Sequence, residues 1–315
     1  AISNIAADGE KLGIDNSGTL QAQSGQVVVT AATISQVVNS VVNLGGVVDA
    51  DAFTASADGG SVLVASSGDL HLTGDIHADG GATGNGGTVE TWADGTNYFN
   101  ADATIGARGG SDAGDGGFIE VSGKNVRFRG FADTSAANGD SGLVLLDPAN
   151  VTIGIGIGDE VNDGEQTITK AVLEAQLAAG DMAIEADDYI VINDLGVNGT
   201  LTSTNGKLTL TTTGVVYPEN EGTTVASAGT GNISMDTDDS LVFTGNGGLT
   251  IEAMGTDGNV TLGNVTTTMG GHVNVTAVDT DGTDGANISV QDITTSGDAV
   301  RNAGEVSIFS QQGGI

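Results

Sequence analysis

Closely spaced carboxylates are the first residues in this sequence that could carry chemistry. Asp279, Asp281 and Asp284 alternate with threonine and glycine in the stretch DTDGTDG. Carboxylate oxygens in such a loop are the ligands that Ca²⁺ prefers. The EF-hand spacing to a distal Glu and the nonapeptide calcium repeat are both missing, so a solvated acidic turn is the competing interpretation. We predict a calcium site at these three residues and no other cofactor.

Two other groups carry side chains that can bind metals. Asp236, Asp238 and Asp239 form a second acidic corner, and His71 and His77 lie six residues apart. One strand could place both histidines on the same outward face, but a metal site needs further ligands that the sequence does not supply. A hydrated corner and two exposed histidines explain these residues without a metal.

Acceptor motifs for N-glycosylation recur from residue 150 onward. The motif N-x-S/T occurs at Asn150, Asn198, Asn232, Asn259, Asn264, Asn274 and Asn287. A corner asparagine followed by an alternating strand of Val, Ile, Thr and Ser produces this motif by chance. Modification and chance both remain open interpretations.

Catalysis on a polysaccharide would require clustered carboxylates with Arg or Lys beside them. The main basic cluster is Lys124, Arg127 and Arg129, in a chain with 8 Lys and Arg in total. Arg127 and Arg129 share one face of a strand, where we expect them to pair with acidic residues on neighbouring strands. We therefore predict that the chain is not an enzyme. A concave patch with three or more carboxylates and a basic residue would favour the opposite.

The bulk composition excludes several classes of partner. The chain has 41 Asp and Glu against 8 Lys and Arg, a formal charge of −33, which repels nucleic acid and anionic lipid. The sequence contains no run of about 18 apolar residues, so no membrane span is predicted. The absence of cysteine excludes disulfides and thiolate metal sites. It also suits a chain that crosses an oxidising compartment unfolded.

The elements that must position these residues are short strands, each led by a glycine. Gly117, for example, is followed by apolar residues two and four positions later, Ile119 and Val121. The pattern recurs after Gly25, Gly60, Gly87, Gly142, Gly231, Gly258, Gly271, Gly285 and Gly304, with Thr91 replacing the second large apolar residue after Gly87 and the apolar pair shifted by one residue after Gly285. Such recurrence predicts an all-β solenoid.

The same pattern predicts which side chains point into the core. Ile119 and Val121 should face inward and stack on Val144 and Leu146 of a neighbouring layer, because residues of alternating polarity face opposite sides of a strand.

Two stretches depart from the strand pattern. Residues 32–43 predict a short helical insertion or a tucked loop, and residues 168–179 predict a short helical insertion. In residues 32–43 the apolar residues fall at helical spacing, and in residues 168–179 they form a stripe of Val172, Leu173 and Leu177. Thr167 or Thr169 is a candidate N-cap of the second helix, and Gly180 is its predicted C-terminal stop.

The chain divides by composition into three parts. Residues 1–148 are a solenoid with long Gly and Asp corners, residues 149–200 are a seam that contains the better helix, and residues 201–315 are a solenoid with shorter corners. Both ends of the sequence resemble cuts through a longer solenoid, because a free solenoid end normally carries a polar cap.

Several segments resemble one protein family. They are SVVNLGGVVDADAFTASADGGSVLVASSGDLHLTGDIHADGG at 40–81, GDGGFIEVSG at 114–123, NVRFRGFADTSAANGDSGLVLLDPANVTI at 125–153, and VLEAQLAAGDMAIEADDYIVIND at 172–194. They are similar to the filamentous haemagglutinin family of two-partner-secretion exoproteins, over roughly residues 17–200. The LLDP segment with its preceding strand is the more specific part of the likeness.

The resemblance implies a right-handed parallel β-helix with two short helical insertions. It also implies export through a dedicated outer-membrane transporter partner and a secreted or cell-surface location. The NPNG-type and NPNL-type motifs of the family's secretion domain are not found, so the chain resembles an interior shaft segment.

The expected function is structural or adhesive, towards a host cell, a neighbouring cell or a polysaccharide surface, in adhesion, aggregation or biofilm formation. The alternatives are a β-helical carbohydrate-active enzyme and a surface filament subunit that polymerises end to end.

Overall fold

A computed structural model describes residues 2–7, 11–31, 41–155, 167–193, 195–196, 199–216, 227–283 and 285–311. These residues form 31 β-strands and one α-helix. They divide into two compact units, Ala1–Asp147 and Pro148–Ile315. No helix in this described part of the chain is both long and apolar enough to span a membrane.

Fourteen strands begin in the first unit. They are β1 (Ile2–Ala7), β2 (Lys11–Asn16), β3 (Thr19–Gln21), β4 (Gln26–Ala31), β5 (Val41–Leu44), β6 (Val47–Asp49), β7 (Ser61–Ser66), β8 (Asp69–Leu72), β9 (Asp75–His77), β10 (Thr88–Phe99), β11 (Thr104–Gly106), β12 (Phe118–Phe128), β13 (Phe131–Asp133) and β14 (Leu143–Pro148).

Parallel pairing in the first unit follows the glycine spacing. Ser61 of β7 pairs with Gln26 of β4, Thr88 of β10 pairs with Ser61, and Phe118 of β12 pairs with Thr88. Each of these residues directly follows a leading glycine, so the distance between glycines sets the length of each coil. A shorter sheet of β3, β6, β9, β11 and β13 forms another side of the coil. Only β1 and β2 pair antiparallel among the described strand pairs of this unit.

The core of the first unit is a set of aligned side-chain columns. One column contains Val27, Val62, Val89 and Ile119, and another contains Leu44, Leu72, Phe99 and Phe128. The rings of Phe99 and Phe128 meet edge to face, with their centroids 5.0 Å apart. These side chains are buried, so the predicted alternation of inward and outward residues is confirmed.

The predicted stacking of Ile119 and Val121 on the next coil agrees with the backbone. The Leu143 N–H donates to the Gly117 carbonyl at 3.1 Å, the bond that Phe118 makes to Gly87 one coil earlier. This bond aligns Ile119 with Val144 and Val121 with Leu146, and all four side chains are buried.

The second unit contains the helix α1 (Lys170–Ala179) and seventeen strands. The strands are β15 (Asn150–Gly154), β16 (Ile168–Thr169), β17 (Asp181–Ala186), β18 (Tyr189–Ile192), β19 (Thr200–Ser203), β20 (Leu208–Thr212), β21 (Val215–Val216), β22 (Ser227–Ala228), β23 (Ile233–Met235), β24 (Ser240–Phe243), β25 (Leu249–Gly255), β26 (Val260–Leu262), β27 (Asn264–Thr267), β28 (Val273–Asp279), β29 (Ile288–Val290), β30 (Ile293–Thr295) and β31 (Val306–Gln311).

Parallel strands also build the second unit. The series β17, β20, β25, β28 and β31 pairs in order, as do β18, β23, β26 and β29, and β19, β24, β27 and β30. The short pair β21 and β22 is antiparallel. The glycines that the sequence suggested as one series belong to two of these strand series. Gly231, Gly258 and Gly285 precede β23, β26 and β29, whereas Gly271 and Gly304 precede β28 and β31.

The helix begins and ends at the residues that its capping signals predict. The Thr169 Oγ1 accepts from the Val172 N–H at 3.3 Å, so Thr169 is the N-cap. Gly180 is the C-cap, and its N–H donates to the Gln176 carbonyl. The apolar stripe buries Leu173 and Leu177 fully, with Val172 half-buried at its margin.

The other predicted helix, at residues 32–43, is wrong at its C-terminal end. Val41, Val42 and Asn43 belong to strand β5, in register with Asp69, Leu70 and His71. Residues 32–40 lie outside the described residues. Neighbouring coils impose a strand here, because Val42 and Leu44 fill two of the core columns, and this packing overrides the helical spacing of the local sequence.

Candidate functional site

Corner residues of the first unit form a hydrogen-bonded ladder from coil to coil. The Asp58 carboxylate accepts from the Asn85 N–H at 2.7 Å, the Asn85 side-chain oxygen accepts from the Asp115 N–H at 2.8 Å, and the Asp115 carboxylate accepts from the Asp140 N–H at 2.9 Å. We call Asp58, Asn85, Asp115 and Asp140 the first corner ladder. Because corners interrupt the strand ladder, these side chains supply acceptors that the backbone needs there.

A column of glycines runs beside the first corner ladder. A Cβ on Gly87 would lie 2.0 Å from the Gly60 carbonyl oxygen, and one on Gly117 would lie 2.0 Å from that of Gly87. Gly142 is equally close to the Gly117 carbonyl, at 1.9 Å. The leading glycines of this unit are therefore required by the close approach of successive coils. Each of Gly60, Gly87, Gly117 and Gly142 lies two residues after a member of the first corner ladder.

The second unit has an equivalent ladder made of asparagine. The Asn232 side-chain oxygen accepts from the Asn259 N–H at 2.9 Å, and that of Asn259 accepts from the Asn287 N–H at 2.8 Å. We call these three residues the second corner ladder. All three lie in N-x-S/T motifs, so for Asn232 and Asn259 the motif coincides with a structural role at a strand entrance. Asn274, in contrast, is an exposed residue on the outer face of β28.

A row of charged residues follows the short sheet of the first unit. It contains Asp49, Asp51, His77, Asp79, Arg108 and Asp133. The Asp51 carboxylate accepts from the Asp79 N–H at 2.7 Å, and the Asp79 carboxylate accepts from the Arg108 N–H at 2.8 Å and from its Nε at 3.0 Å. Asp49 and Asp133 also accept from backbone N–H groups, those of Asp51 and Ser135.

This charged row has the number of carboxylates and the basic residue that an enzyme would need. Each of its four carboxylates, however, is already bonded to a backbone N–H of its own or the next coil. The bonds at Asp51 and Asp79 attach one coil to the next, and those at Asp49 and Asp133 fix their own corners. The row therefore contributes to the attachment of successive coils.

Charge and burial within this row shift two pKa values. Burial raises the pKa of Asp51 above its ordinary 3.8; the bond from the Asp79 N–H opposes this rise, and the nearby Asp79 and Asp49 charges add to it. The bond to Asp79 raises the pKa of the Arg108 guanidinium, so Arg108 stays charged. The single N–H donor lowers the pKa of Asp51 less than partial burial raises it.

In the predicted calcium loop, Asp279 holds the backbone together. This buried side chain accepts from the N–H groups of Asp281 at 3.0 Å, Gly282 at 2.8 Å and Gly285 at 2.7 Å. The bonds from Gly282, Gly285 and Asp281 hold the pKa of Asp279 below its ordinary 3.8, against the opposing effect of burial. Asp281 accepts from the N–H and hydroxyl of Thr283.

Asp284, the third predicted calcium ligand, lies outside the described residues. Among the residues that are described, no group of three or more His, Asp or Glu side chains is placed to hold a metal ion. The calcium site at Asp279, Asp281 and Asp284 stays a prediction, and Asp279 already accepts three backbone N–H bonds.

The other polar groups identified in the sequence lie apart. Asp239 is buried and its carboxylate accepts from the Leu195 N–H at 2.8 Å, whereas Asp236 and Asp238 are exposed. His71 and His77 do not share a strand, contrary to the possibility raised above, because a corner at Thr73 and Gly74 separates β8 from β9. The two histidines therefore do not form one site.

Aromatic and basic residues form a column on the large sheet of the first unit. His71 stacks on Tyr98, with ring centroids 4.4 Å apart and an angle of 9° between the planes. Tyr98 is in register with Arg127 of the next coil. On the side of β10, the neighbour of Arg127 in register is thus an aromatic ring and not an acidic residue.

A different cluster surrounds Trp92 on the outer side of β7, β10 and β12. Trp92 is 45% exposed and lies in register with Ala65 and Ser122. Glu90, two residues earlier on the same side, is in register with Glu120. We call these five residues the Trp92 face.

Sequence reasoning missed both the first corner ladder and the Trp92 face. The signal for the ladder is an Asp or Asn two residues before four of the leading glycines. The signal for the Trp92 face is outward alternation, since Glu90 and Trp92 occupy the polar positions between Val89, Thr91 and Ala93. Thr91 itself is buried and accepts from the Asn97 amide at 3.0 Å, which explains a polar residue at an inward position.

Comparison with known proteins adds no family assignment. No protein-family model matches the chain, and a search of curated proteins finds no match. The resemblance of residues 17–200 to the filamentous haemagglutinin family therefore stays a prediction.

Proposed function

We propose that the chain is an extracellular structural and adhesive shaft, a right-handed parallel β-helix from a large exported protein of the filamentous haemagglutinin type. The observation that carries this proposal is the use of corner carboxylates and amides as acceptors for the N–H groups of the next coil. Such a molecule uses its polar residues to attach one coil to the next, as a long structural element requires. The connection between two parallel strands of the same sheet is almost always right-handed, which supports the proposed right-handed coil.

Export and location belong to the same proposal. A chain of 315 residues without cysteine can pass an oxidising compartment unfolded, with an outer-membrane transporter as its partner. The net charge of −33 keeps a repetitive β-structure hydrated and opposes side-by-side association. These features suit a secreted or cell-surface protein whose function depends on length and exposed faces.

An adhesion experiment tests the proposal. Beads coated with the purified chain are expected to adhere to cells or polysaccharide-coated surfaces and to aggregate with one another. Beads coated with the Val121→Asp variant, whose buried charge disrupts the core, serve as the control and should adhere less. Parent beads that adhere no better than the control would overturn the adhesive role.

Two further measurements address the alternatives. Release of reducing or unsaturated ends from a panel of polysaccharides would favour a carbohydrate-active enzyme. Electron microscopy of the purified chain would show fibres if the segment polymerises end to end. We expect neither result.

A further inference from the structure

The Trp92 face has the features of a platform for a flat ligand. Trp92 points outward from β10, and its neighbours in register on β7 and β12, Ala65 and Ser122, are small. Ser122 is itself buried, and neither neighbour in register places a large side chain beside the indole. An exposed tryptophan offers a wide apolar surface at the edge of water, where a ring can stack.

The indole is oriented before any ligand arrives. Its Nε1 donates to the Asp94 Oδ1 at 2.9 Å. Fixing the ring in this way lowers the entropy that is lost when a ligand stacks on it.

Two carboxylates stand beside the indole. Glu90 and Glu120 are in register on adjacent strands, which lie about 4.8 Å apart, and like charges at such positions destabilise a sheet. The Glu120 Oε1 accepts from the Ser122 hydroxyl at 2.7 Å. Among the residues that the structure describes, Glu90 has no hydrogen-bond or ion-pair partner. This pair differs from the corner carboxylates, which bind backbone N–H groups.

The chemistry of the face defines its ligand. Ionised carboxylates only accept hydrogen bonds, so the ligand must donate them, and it must also present a flat apolar side to the indole. A sugar ring has both properties, with C–H groups on one side and hydroxyl or ammonium groups around its edge. The charge of −33 disfavours anionic polymers.

We propose that the Trp92 face binds a glycan without negative charge, by stacking of a sugar ring on Trp92 and donation of hydroxyl or ammonium hydrogens to Glu90 and Glu120. The inference rests on the proposed adhesive function for its biological setting and supplies the ligand class for it.

Intrinsic fluorescence tests the inference directly, because Trp92 is the one tryptophan of the chain. The full chain is titrated with a neutral N-acetylglucosamine hexamer, a glucosamine hexamer, an acidic galacturonate oligomer and a Lys-rich peptide. A saturable change is expected with at least one of the first two, and which of them binds identifies the donor as hydroxyl or ammonium. Saturation by the peptide or the acidic oligomer alone, or by none of the four, would overturn the inference.

Variants locate the site. Glu90→Gln and Glu120→Gln are each expected to weaken binding about tenfold, because one charge-assisted hydrogen bond is lost. Glu252→Gln, on the exposed side of β25 in the other unit, is the matched control and should bind like the parent. Trp92→Ala removes the reporter, so its expected loss of binding is measured by calorimetry. Equal losses of glycan affinity in Glu252→Gln and Glu90→Gln would contradict a local site. Unchanged urea midpoints would show that each variant is folded.

The bead assay separates this inference from the proposed function. If the chain binds glycan but its beads do not adhere, the adhesive role is overturned and the glycan site is supported. Adhesion that persists in Trp92→Ala beads, together with no glycan binding by the parent, would remove the site and leave the adhesive role.

Discussion

The two corner ladders solve one structural problem with different chemistry. In the first corner ladder the acceptors are mostly carboxylates, from Asp58 and Asp115, whereas the second uses the neutral side chains of Asn232 and Asn259. The acceptor distances, 2.7–2.9 Å in the first ladder and 2.8–2.9 Å in the second, are the same within 0.2 Å. A coil corner therefore requires a short side chain with an oxygen at a fixed place, and its charge is not needed for the fold.

The difference separates two roles of the acidic residues. Where asparagine replaces aspartate, the hydrogen bond remains and the charge disappears. The geometry of the coil corner thus depends on an oxygen acceptor. The negative charge that Asp adds in the first unit is available for hydration and for binding. The two units should respond alike to loss of the core and of corner acceptors, and differently to pH.

The largest expected effect tests whether both units depend on the same kind of core. Val121→Asp in the first unit and Ile251→Asp in the second should each cost about 3–5 kcal/mol, because each places an uncompensated charge in a buried column. Urea denaturation gives the change in unfolding free energy.

The outward neighbours on the same strands serve as controls. Glu120→Ala and Glu252→Ala should each stay within about 0.5 kcal/mol of the parent. If Val121→Asp were as mild as Glu120→Ala, the inward register of β12 would be wrong.

Acidification should destabilise the second unit through protonation of Asp279. Three N–H donors lower its pKa, so its contribution to stability is complete above 3.8 and is lost as pH falls through the lowered pKa. Asp279→Asn should be clearly less stable than the parent at neutral pH, and the two urea midpoints should converge on acidification. A constant difference down to the lowest pH at which the chain folds would contradict this assignment.

Loss of one corner acceptor should lower the free energy of unfolding by the same amount in either ladder. Asp115→Ala and Asn259→Ala each leave one corner N–H without its partner, at about 1 kcal/mol. Thr202→Ala, whose outward side chain belongs to neither ladder, is the control for urea denaturation and should have a smaller effect. A loss confined to Asp115→Ala would mean that the charge, and not the acceptor, holds the corner.

Asp51 should show the opposite dependence on pH. Burial raises its pKa, so its contribution to stability declines as pH rises from 3.8 through the raised pKa. Asp51→Asn keeps an acceptor for the Asp79 N–H and should be at least as stable as the parent above that range. The advantage should vanish at lower pH, and an advantage that grows on acidification would contradict the raised pKa.

Calcium should have the smallest effect. Millimolar Ca²⁺ is expected to raise the melting temperature modestly, and more than Na⁺ at matched ionic strength, by binding the folded state near Asp279, Asp281 and Asp284. The variant with all three changed to Asn should lose the difference between the two salts. Equal responses of the parent to both salts would reduce the effect to screening.

Glycine spacing predicted the strand register in the first unit, because each residue after a leading glycine pairs with its counterpart one coil away. In the second unit the glycines that the sequence suggested as one series belong to two strand series. Glycine spacing could not predict the ladders, since a hydrogen bond between residues such as Asp58 and Asn85 depends on how a corner folds over the one before it. Helical spacing predicted α1, where capping agreed with the apolar stripe, and was wrong at Val41–Asn43, where neighbouring coils impose a strand. The Trp92 face was missed because its residues are distant in sequence and become neighbours only when coils stack.

The buried amide of Asn97 has a consequence for misfolding. It donates to the backbone and hydroxyl oxygens of Thr91 and to the Ser122 carbonyl, next to a register shift between Ala93 and Thr96. Coils with similar apolar columns can in principle align one layer out of place. A slipped chain would keep the two bonds to Thr91, which lies on the same strand as Asn97, and would lose the bond to the Ser122 carbonyl, which depends on the register shift between β10 and β12. One buried amide thus favours a single alignment of these two strands.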